Sequence, residues 1–142
     1  MKTSLIIILV SLLSICCSAQ PQNKLSGYFL REIGFLPGCT TLILDCSTDI
    51  VTVEKFNHFY TDSYICKSID TLHYTAEKDT TLTGKLYNII NKDNHIYIIA
   101  KDKSFKKSKK MKSIPKTRVD EIRKSSNYYT KRSKQAINNP QE

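Results

Sequence analysis

Short runs of β-branched and aromatic residues, each closed by a polar turn, make up residues 24–101 and constrain the fold more than any other feature of the chain. Isoleucine, threonine, tyrosine, valine and phenylalanine fit a pleated sheet, and alternation places the apolar side chains on one face. In the run 71–76, for example, Leu72, Tyr74 and Ala76 alternate with polar residues. The pattern predicts strands throughout this part of the chain.

The predicted strands divide at turn sequences, and the last three form an antiparallel meander. Leu82, Leu86 and Ile90 are predicted to share one face of a single strand. The unbroken apolar run 96–100 is typical of a strand covered on both faces, which predicts a central position. Aromatic residues recur at helical spacing in 56–64, so a short helix competes with a strand there. The predicted strands are residues 25–33, 40–45, 50–56, 71–76, 82–90 and 95–101.

The N-terminus predicts export. One lysine precedes an apolar run that begins at Leu5 and ends at the small residues Ser18 and Ala19, which is the layout of a signal peptide cleaved after Ala19. The run is shorter than the about 20 residues that span a bilayer, so no transmembrane span is expected after its removal. A lipoprotein signal would end at Cys16 or Cys17, but the residues before them fit that motif less well. The expected location is secreted or periplasmic.

Positive charge is concentrated at the C-terminal end. Residues 1–100 contain 8 Lys and Arg against 9 Asp and Glu, whereas residues 101–142 contain 14 against 4, so the net charge of +9 arises in the last third. The run 101–112 is rich in lysine and poor in apolar residues, which is typical of a solvated linker or extended arm. Further along, apolar residues at helical intervals predict a helix over 118–135, with Thr117 as a candidate N-cap.

Together these patterns predict a mainly β (α+β) fold, a small antiparallel sheet or barrel with a C-terminal helix on a basic extension. The length suits one domain. The predicted division is a signal peptide at 1–19, a small β-rich domain at 20–101, a lysine-rich linker at 102–116, and a basic helix and tail at 117–142.

Lysines of the basic run are the candidate binding residues. Their charge would attract an anionic surface, such as an envelope, a polysaccharide or a nucleic acid, or an acidic protein. A solubilising segment with no partner explains the same composition. Base readout generally uses arginine and single-strand binding uses interleaved aromatics, and the run has no arginine and one phenylalanine. The candidates are Lys106, Lys107, Lys109, Lys110 and Lys112.

Three cysteines remain after signal removal, and an exported chain commonly oxidises a pair. Cys39 and Cys46 flank a predicted strand that would hold them about 23 Å apart, which is too far for a bridge. Cys66 is therefore expected in the disulfide. A Cys46–Cys66 bridge is favoured over Cys39–Cys66, because Cys46 follows Leu42 and Leu44 on one strand face.

The sequence contains no motif for catalysis or cofactor binding. The cysteines and the histidines form neither a CxxC nor an HxxxH pair, so no metal site is predicted. Four glycines leave little room for a phosphate-binding loop, and no cofactor is expected. His58 with Asp62 is the best acid/base pair that can be written, and His73 is expected at a solvated surface.

The leading hypothesis is an exported, non-enzymatic binding module whose basic C-terminal extension contacts an anionic surface or an acidic partner. A small secreted, nuclease-like hydrolase acting on a polyanion is one alternative. A secreted inhibitor or immunity-type protein, which would bind through the β domain, is another. A concave site with convergent polar groups would distinguish the hydrolase from the binding module.

Overall fold

The sheet of this protein curls almost completely onto itself. In a computed structural model, which describes residues 24–35, 38–59, 63–75 and 78–138, nine antiparallel strands form a nearly closed barrel followed by two helices. The prediction of a mainly β fold is confirmed. The predicted signal peptide, with Cys16 and Cys17, lies outside the described residues. The elements are β1 (Gly27–Phe35), β2 (Gly38–Cys46), β3 (Val51–Phe59), β4 (Tyr64–Thr75), β5 (Lys78–Thr83), β6 (Tyr87–Lys92), β7 (His95–Ala100), β8 (Lys109–Lys110), β9 (Lys112–Ile114), α1 (Lys116–Lys124) and α2 (Tyr128–Asn138).

The two shortest strands close the barrel. The strand order is β8-β7-β6-β5-β4-β3-β2-β1-β9, and only Met111 separates β8 from β9 in the chain. Strand β8 pairs with β7, and β9 pairs with β1 at the other edge of the sheet, so one segment joins both edges. Within the solvated linker predicted over 102–116, residues 109–110 and 112–114 are strands, because backbone N–H and C=O groups pair along a sheet edge whatever the side chains are. The β domain therefore extends beyond residue 101.

The interior of the barrel holds the larger apolar core. Alternate residues of a strand point inward, so Leu42 and Leu44 of β2 lie inside while Ile43 between them faces the helices. Leu72 and Tyr74 share the inward face of β4, as the alternation predicts. The other buried members of this core are Cys46, Val51, Val53, Leu82, Tyr87, Ile89, Ile96, Ile98, Ala100 and Met111.

The apolar run 96–100 forms β7 but is covered on one face only. Its alternate residues, from Ile96 to Ala100, are buried inside the barrel, whereas Tyr97 and Ile99 on the outer face are half-buried. Strand β7 is also second from the end of the strand order. The prediction of a central strand covered on both faces is therefore wrong, because the helices pack over another part of the barrel.

The ambiguous segment 56–64 is extended where it is described. Strand β3 runs to Phe59 and β4 begins at Tyr64, while residues 60–62 lie outside the described ranges. The aromatic residue Phe56 is buried between β3 and the helices. Phe56 contacts Tyr64 of β4, with ring centres 6.3 Å apart, so these two aromatic residues meet across neighbouring strands and not along a helix.

A turn interrupts the strand predicted at 82–90. The buried carboxylate of Asp70 accepts backbone hydrogen bonds from residues 85–87, at 2.9, 2.8 and 3.1 Å. A Cβ on Gly84 would overlap this carboxylate, so only glycine fits there without displacing it. Beyond the turn the buried inward residues are Tyr87 and Ile89, each one position away from those predicted, Leu86 and Ile90. A buried polar contact thus overrides the apolar periodicity of the segment.

The C-terminal segment forms two helices instead of the one predicted over 118–135. Helix α1 begins one residue before Thr117, so Thr117 is helical and is not the N-cap. The hydroxyl of Ser126 donates to the carbonyl of Arg123 at 3.0 Å and accepts from the N–H of Tyr128 at 3.1 Å. Ser126 therefore ends one helix and begins the next.

The helices cover the outer face of strands β1 to β4. Val119 and Ile122 of α1, with Tyr128 of α2, are buried against Ile43 and Phe56. Among the described residues, this second apolar cluster contains no member from β6, β7 or β8. The outer face of that part of the barrel is therefore outside the helix packing.

Candidate functional site

Four of the five candidate lysines are exposed on the segment that closes the barrel. Lys109 differs, because it is half-buried and pairs with Ile98, whose side chain is inside the barrel. Residues that pair across antiparallel strands face the same side, so Lys109 lies on the opposite face of β8 from Lys110. We call the exposed four the lysine seam: Lys106 and Lys107 in the connection before β8, Lys110 on β8, and Lys112 on β9.

The lysine seam has no carboxylate partner in the described part of the chain. The ion pairs found there involve Lys116, Arg118 and Arg123, all in α1. Arg31 of β1 adds a further cation, since its Nη1 donates to the carbonyl oxygen of Lys110 at 3.3 Å. Cations that no neighbour neutralises keep their full attraction for a negatively charged ligand.

Pairing of β8 with β7 places aromatic side chains beside the seam. Tyr97 pairs with Lys110, and His95 lies two residues along β7 on the same face. On its other side His95 pairs with Lys92 of β6. The sequence does not reveal this neighbourhood, because β8 is two residues long and lysine is a poor strand former. The alternation of β7 could have predicted that the rings of His95 and Tyr97 share one face, because the two residues are two positions apart on a strand.

A buried cluster of charges lies between α1 and the barrel. Arg123 donates from Nε to Glu54 Oε2 at 3.0 Å and from Nη2 to Asp45 Oδ2 at 2.6 Å, with its guanidinium carbon 4.7 Å from the ring centre of Tyr128. Burial raises the pKa of Glu54, and the hydrogen bond from Arg123 offsets part of that rise. The cluster joins α1 to β2 and β3, so we assign it a stabilising role.

The described acid/base candidates do not form a pair. A cleft of about 390 Å³ beside α2 is lined in part by Asp70 and His73. Both carboxylate oxygens of Asp70 already accept backbone hydrogen bonds, and His73 is exposed, as expected. His58 stacks on Tyr64 with ring centres 4.6 Å apart, and its predicted partner Asp62 lies outside the described residues. Neither histidine is thus shown beside a carboxylate placed to exchange a proton with it.

The predicted Cys46–Cys66 disulfide is not formed, since Cys39, Cys46 and Cys66 are free thiols. Cys46 belongs to the interior core and Cys66 to the cluster under the helices, on the other face of the sheet. Asp45, next to Cys46, pairs with Thr52 of β3, and Thr52 pairs with Thr71 of β4. Thr71 is about 16 Å along β4 from Cys66. Burial raises the pKa of Cys46 to about 12 and that of Cys66 to about 11, so both thiols are protonated at neutral pH.

Within residues 24–35, 38–59, 63–75 and 78–138, no group of three or more His, Cys, Asp or Glu side chains is arranged to hold a metal ion. No helix of the described residues combines the length and the apolar character needed to cross a bilayer. Comparison of the chain with protein-family models, curated proteins and solved structures finds no match. A functional conclusion must therefore come from the geometry of the site itself.

Proposed function

We propose that this protein is an exported, non-enzymatic binding module that holds an anionic polymer or surface against its lysine seam. One observation carries the proposal: the seam lies on the segment that closes the barrel, exposed and without a carboxylate partner in the described part of the chain. The predicted export signal supplies the location. Lysine is a compact charge with no fixed geometry, which suits the repeated anions of a polymer better than one shaped ligand.

The position of Lys110 and Lys112 on paired strands lowers the entropy that binding costs. A disordered run loses backbone entropy when it binds, whereas β8 and β9 are already held by β7 and β1. Lys110 of β8 and Lys112 of β9 are two residues apart, which spans about 7 Å along an extended chain. A polymer with regularly spaced charges can therefore contact several seam lysines at once.

The test is a salt series of heparin binding with two variants of equal charge change. Parent affinity should fall steeply between about 50 and 500 mM salt, because binding releases counterions. The seam variant should bind about tenfold or more weakly at low salt, and the control variant should stay close to the parent. The seam variant is K106Q/K107Q/K110Q/K112Q, and the control is K24Q/K67Q/K85Q/K134Q, whose lysines are all exposed outside the seam.

Two outcomes would contradict the proposal. Equal losses in both variants would show that only net charge matters, and binding indifferent to salt would show that the lysines are a solvated surface. Deleting residues 101–142 is unsuitable as a test, because the deletion removes β8, β9 and both helices together with the seam.

A further inference from the structure

We infer that the ligand of the lysine seam is an acidic polysaccharide whose sugar rings stack on Tyr97 and His95 beside the seam. The inference rests on the proposed function and names its ligand class. It comes from the pairing of β7 with β8, which the sequence does not predict. This pairing brings the two aromatic side chains of β7 next to Lys110 of β8.

The geometry is a set of rows across the outer face of β6, β7 and β8. Tyr97 pairs with Ile90 on one side and with Lys110 on the other, so the three residues form one row. The adjacent row pairs Lys92 with His95, and the rings of His95 and Tyr97 have centres 6.4 Å apart. Lys112 follows Lys110 on the outer face. Cations therefore flank two neighbouring rings.

This face lies outside the helix packing and is partly exposed. Ile96 and Ile98, on either side of Tyr97, belong to the interior core, so Tyr97 points outward. Tyr97 is half-buried, and His95 and Lys92 are exposed. The described members of the cluster under the helices include none of these residues.

The chemistry matches a ring-bearing polyanion. The flat face of a tyrosine ring offers apolar surface to the C–H face of a sugar, while its edge and the lysines remain polar. A further row contains Thr83 and Asn88, where the Thr83 hydroxyl donates to Asn88 Oδ1 at 2.6 Å. The Asn88 side-chain nitrogen has no partner among the described residues, so its N–H groups can donate to sugar hydroxyls.

These features favour a polysaccharide over a nucleic acid. Direct reading of bases generally uses arginine forks, and β6, β7 and β8 contain no arginine. Arg31 of β1, beside the seam, already donates from Nη1 to the carbonyl oxygen of Lys110. The hydroxyl of Thr83 and the amide of Asn88 can form hydrogen bonds with the many hydroxyls of a sugar chain. Export, which the N-terminal sequence predicts, would also place the protein where envelope polysaccharides are found.

The experiment measures binding of the full chain to three polymers. Polygalacturonate carries carboxylates and sugar rings, polyphosphate carries charge without rings, and oligothymidylate carries charge and bases. Tyr97→Ala should weaken polygalacturonate binding about threefold to tenfold and leave polyphosphate binding unchanged. Tyr97→Leu keeps apolar bulk without a ring and should behave in the same way, while Tyr97→Phe should bind like the parent. Tyr129→Ala is the matched control, since Tyr129 is 54% exposed on α2.

Each outcome has a separate meaning. If the seam variant weakens polygalacturonate binding but neither Tyr97→Ala nor Tyr97→Leu does, the inference is overturned and the proposed function stands. Tyr97-dependent preference for oligothymidylate would overturn the choice of polysaccharide. If none of the polymers responds to the seam variant, the proposed function fails as well.

Discussion

Arg123 of helix α1 donates to the fully buried carboxylate of Glu54 on β3, 69 residues earlier in the chain. The same guanidinium contacts Asp45 on β2, so one helical side chain compensates two carboxylates of the barrel wall. This contact explains why the basic C-terminal segment is an integral part of the domain. It also connects residues 1–100, whose charges nearly balance, with the basic segment 101–142.

Removal of Arg123 should destabilise the protein strongly. Arg123→Met leaves the Glu54 carboxylate buried without its cation, which costs about 3 to 5 kcal/mol in comparable buried pairs. The free energy of unfolding in urea is the measurement. Arg118→Met is the matched control, because Arg118 pairs with exposed Glu121 and such pairs contribute at most about 1 kcal/mol. Equal losses in the two variants would refute a special role for Arg123.

Acid should weaken the same cluster through Asp45. Burial opposes ionisation of Asp45, but hydrogen bonds from Ser47 and Arg123 outweigh it, so the pKa of Asp45 lies below its ordinary value. A lowered carboxyl pKa contributes stability that is present above the unfolded pKa, about 3.9, and is lost as pH falls through the folded pKa. The unfolding free energy should therefore decline below about pH 4.

The matching measurement compares the parent with Asp45→Asn across that acid range. The raised pKa of Glu54 acts with the opposite sign, because protonation then favours the folded state. The difference between parent and variant isolates the contribution of Asp45, and it should shrink as pH falls. A constant difference would show that Asp45 gains nothing from its partners. Asp49→Asn, at an exposed position, is the control.

Thiol reactivity should distinguish the free cysteines from the disulfide that the sequence favours. In the chain starting at Gln20, only Cys39 should react quickly with Ellman's reagent at pH 8, because Cys46 and Cys66 are buried with raised pKa values. Unfolding in urea should release three reactive thiols, and Cys39→Ser should remove the fast one. A count of one thiol after unfolding would instead support a bridge.

Closure of the barrel should depend on Met111. Met111→Ala removes a side chain that is 5% exposed between β8 and β9, which should cost about 2 to 5 kcal/mol by analogy with other core truncations. Lys110→Ala at the neighbouring exposed position should change stability by about 0.5 kcal/mol or less. Urea unfolding measures both. Equal, negligible effects would restore the prediction of a solvated linker.

Local patterns predicted much of the β structure. The alternation around Leu72 and Tyr74 and the strand at 95–100 appear as expected, and the turn predicted from residue 91 lies at residues 93–94, because side-chain alternation is a local property of an extended chain. The break at residues 84–86 was missed, since it depends on Asp70, a residue distant in sequence. Of the candidate site, the sequence identified the lysines but not their orientation or their aromatic neighbours.

By itself, the sequence determined strand content, the position of the charge and a helical C-terminal end. Only the tertiary structure decided that β8 and β9 close the barrel, that Cys46 and Cys66 face opposite sides of the sheet, and that Tyr97 lies beside Lys110. The physical reason is that backbone hydrogen bonds between distant strands fix the register, and a shift of one residue moves every side chain to the other face. That register separates Lys109 from the seam and places the aromatic rings next to it.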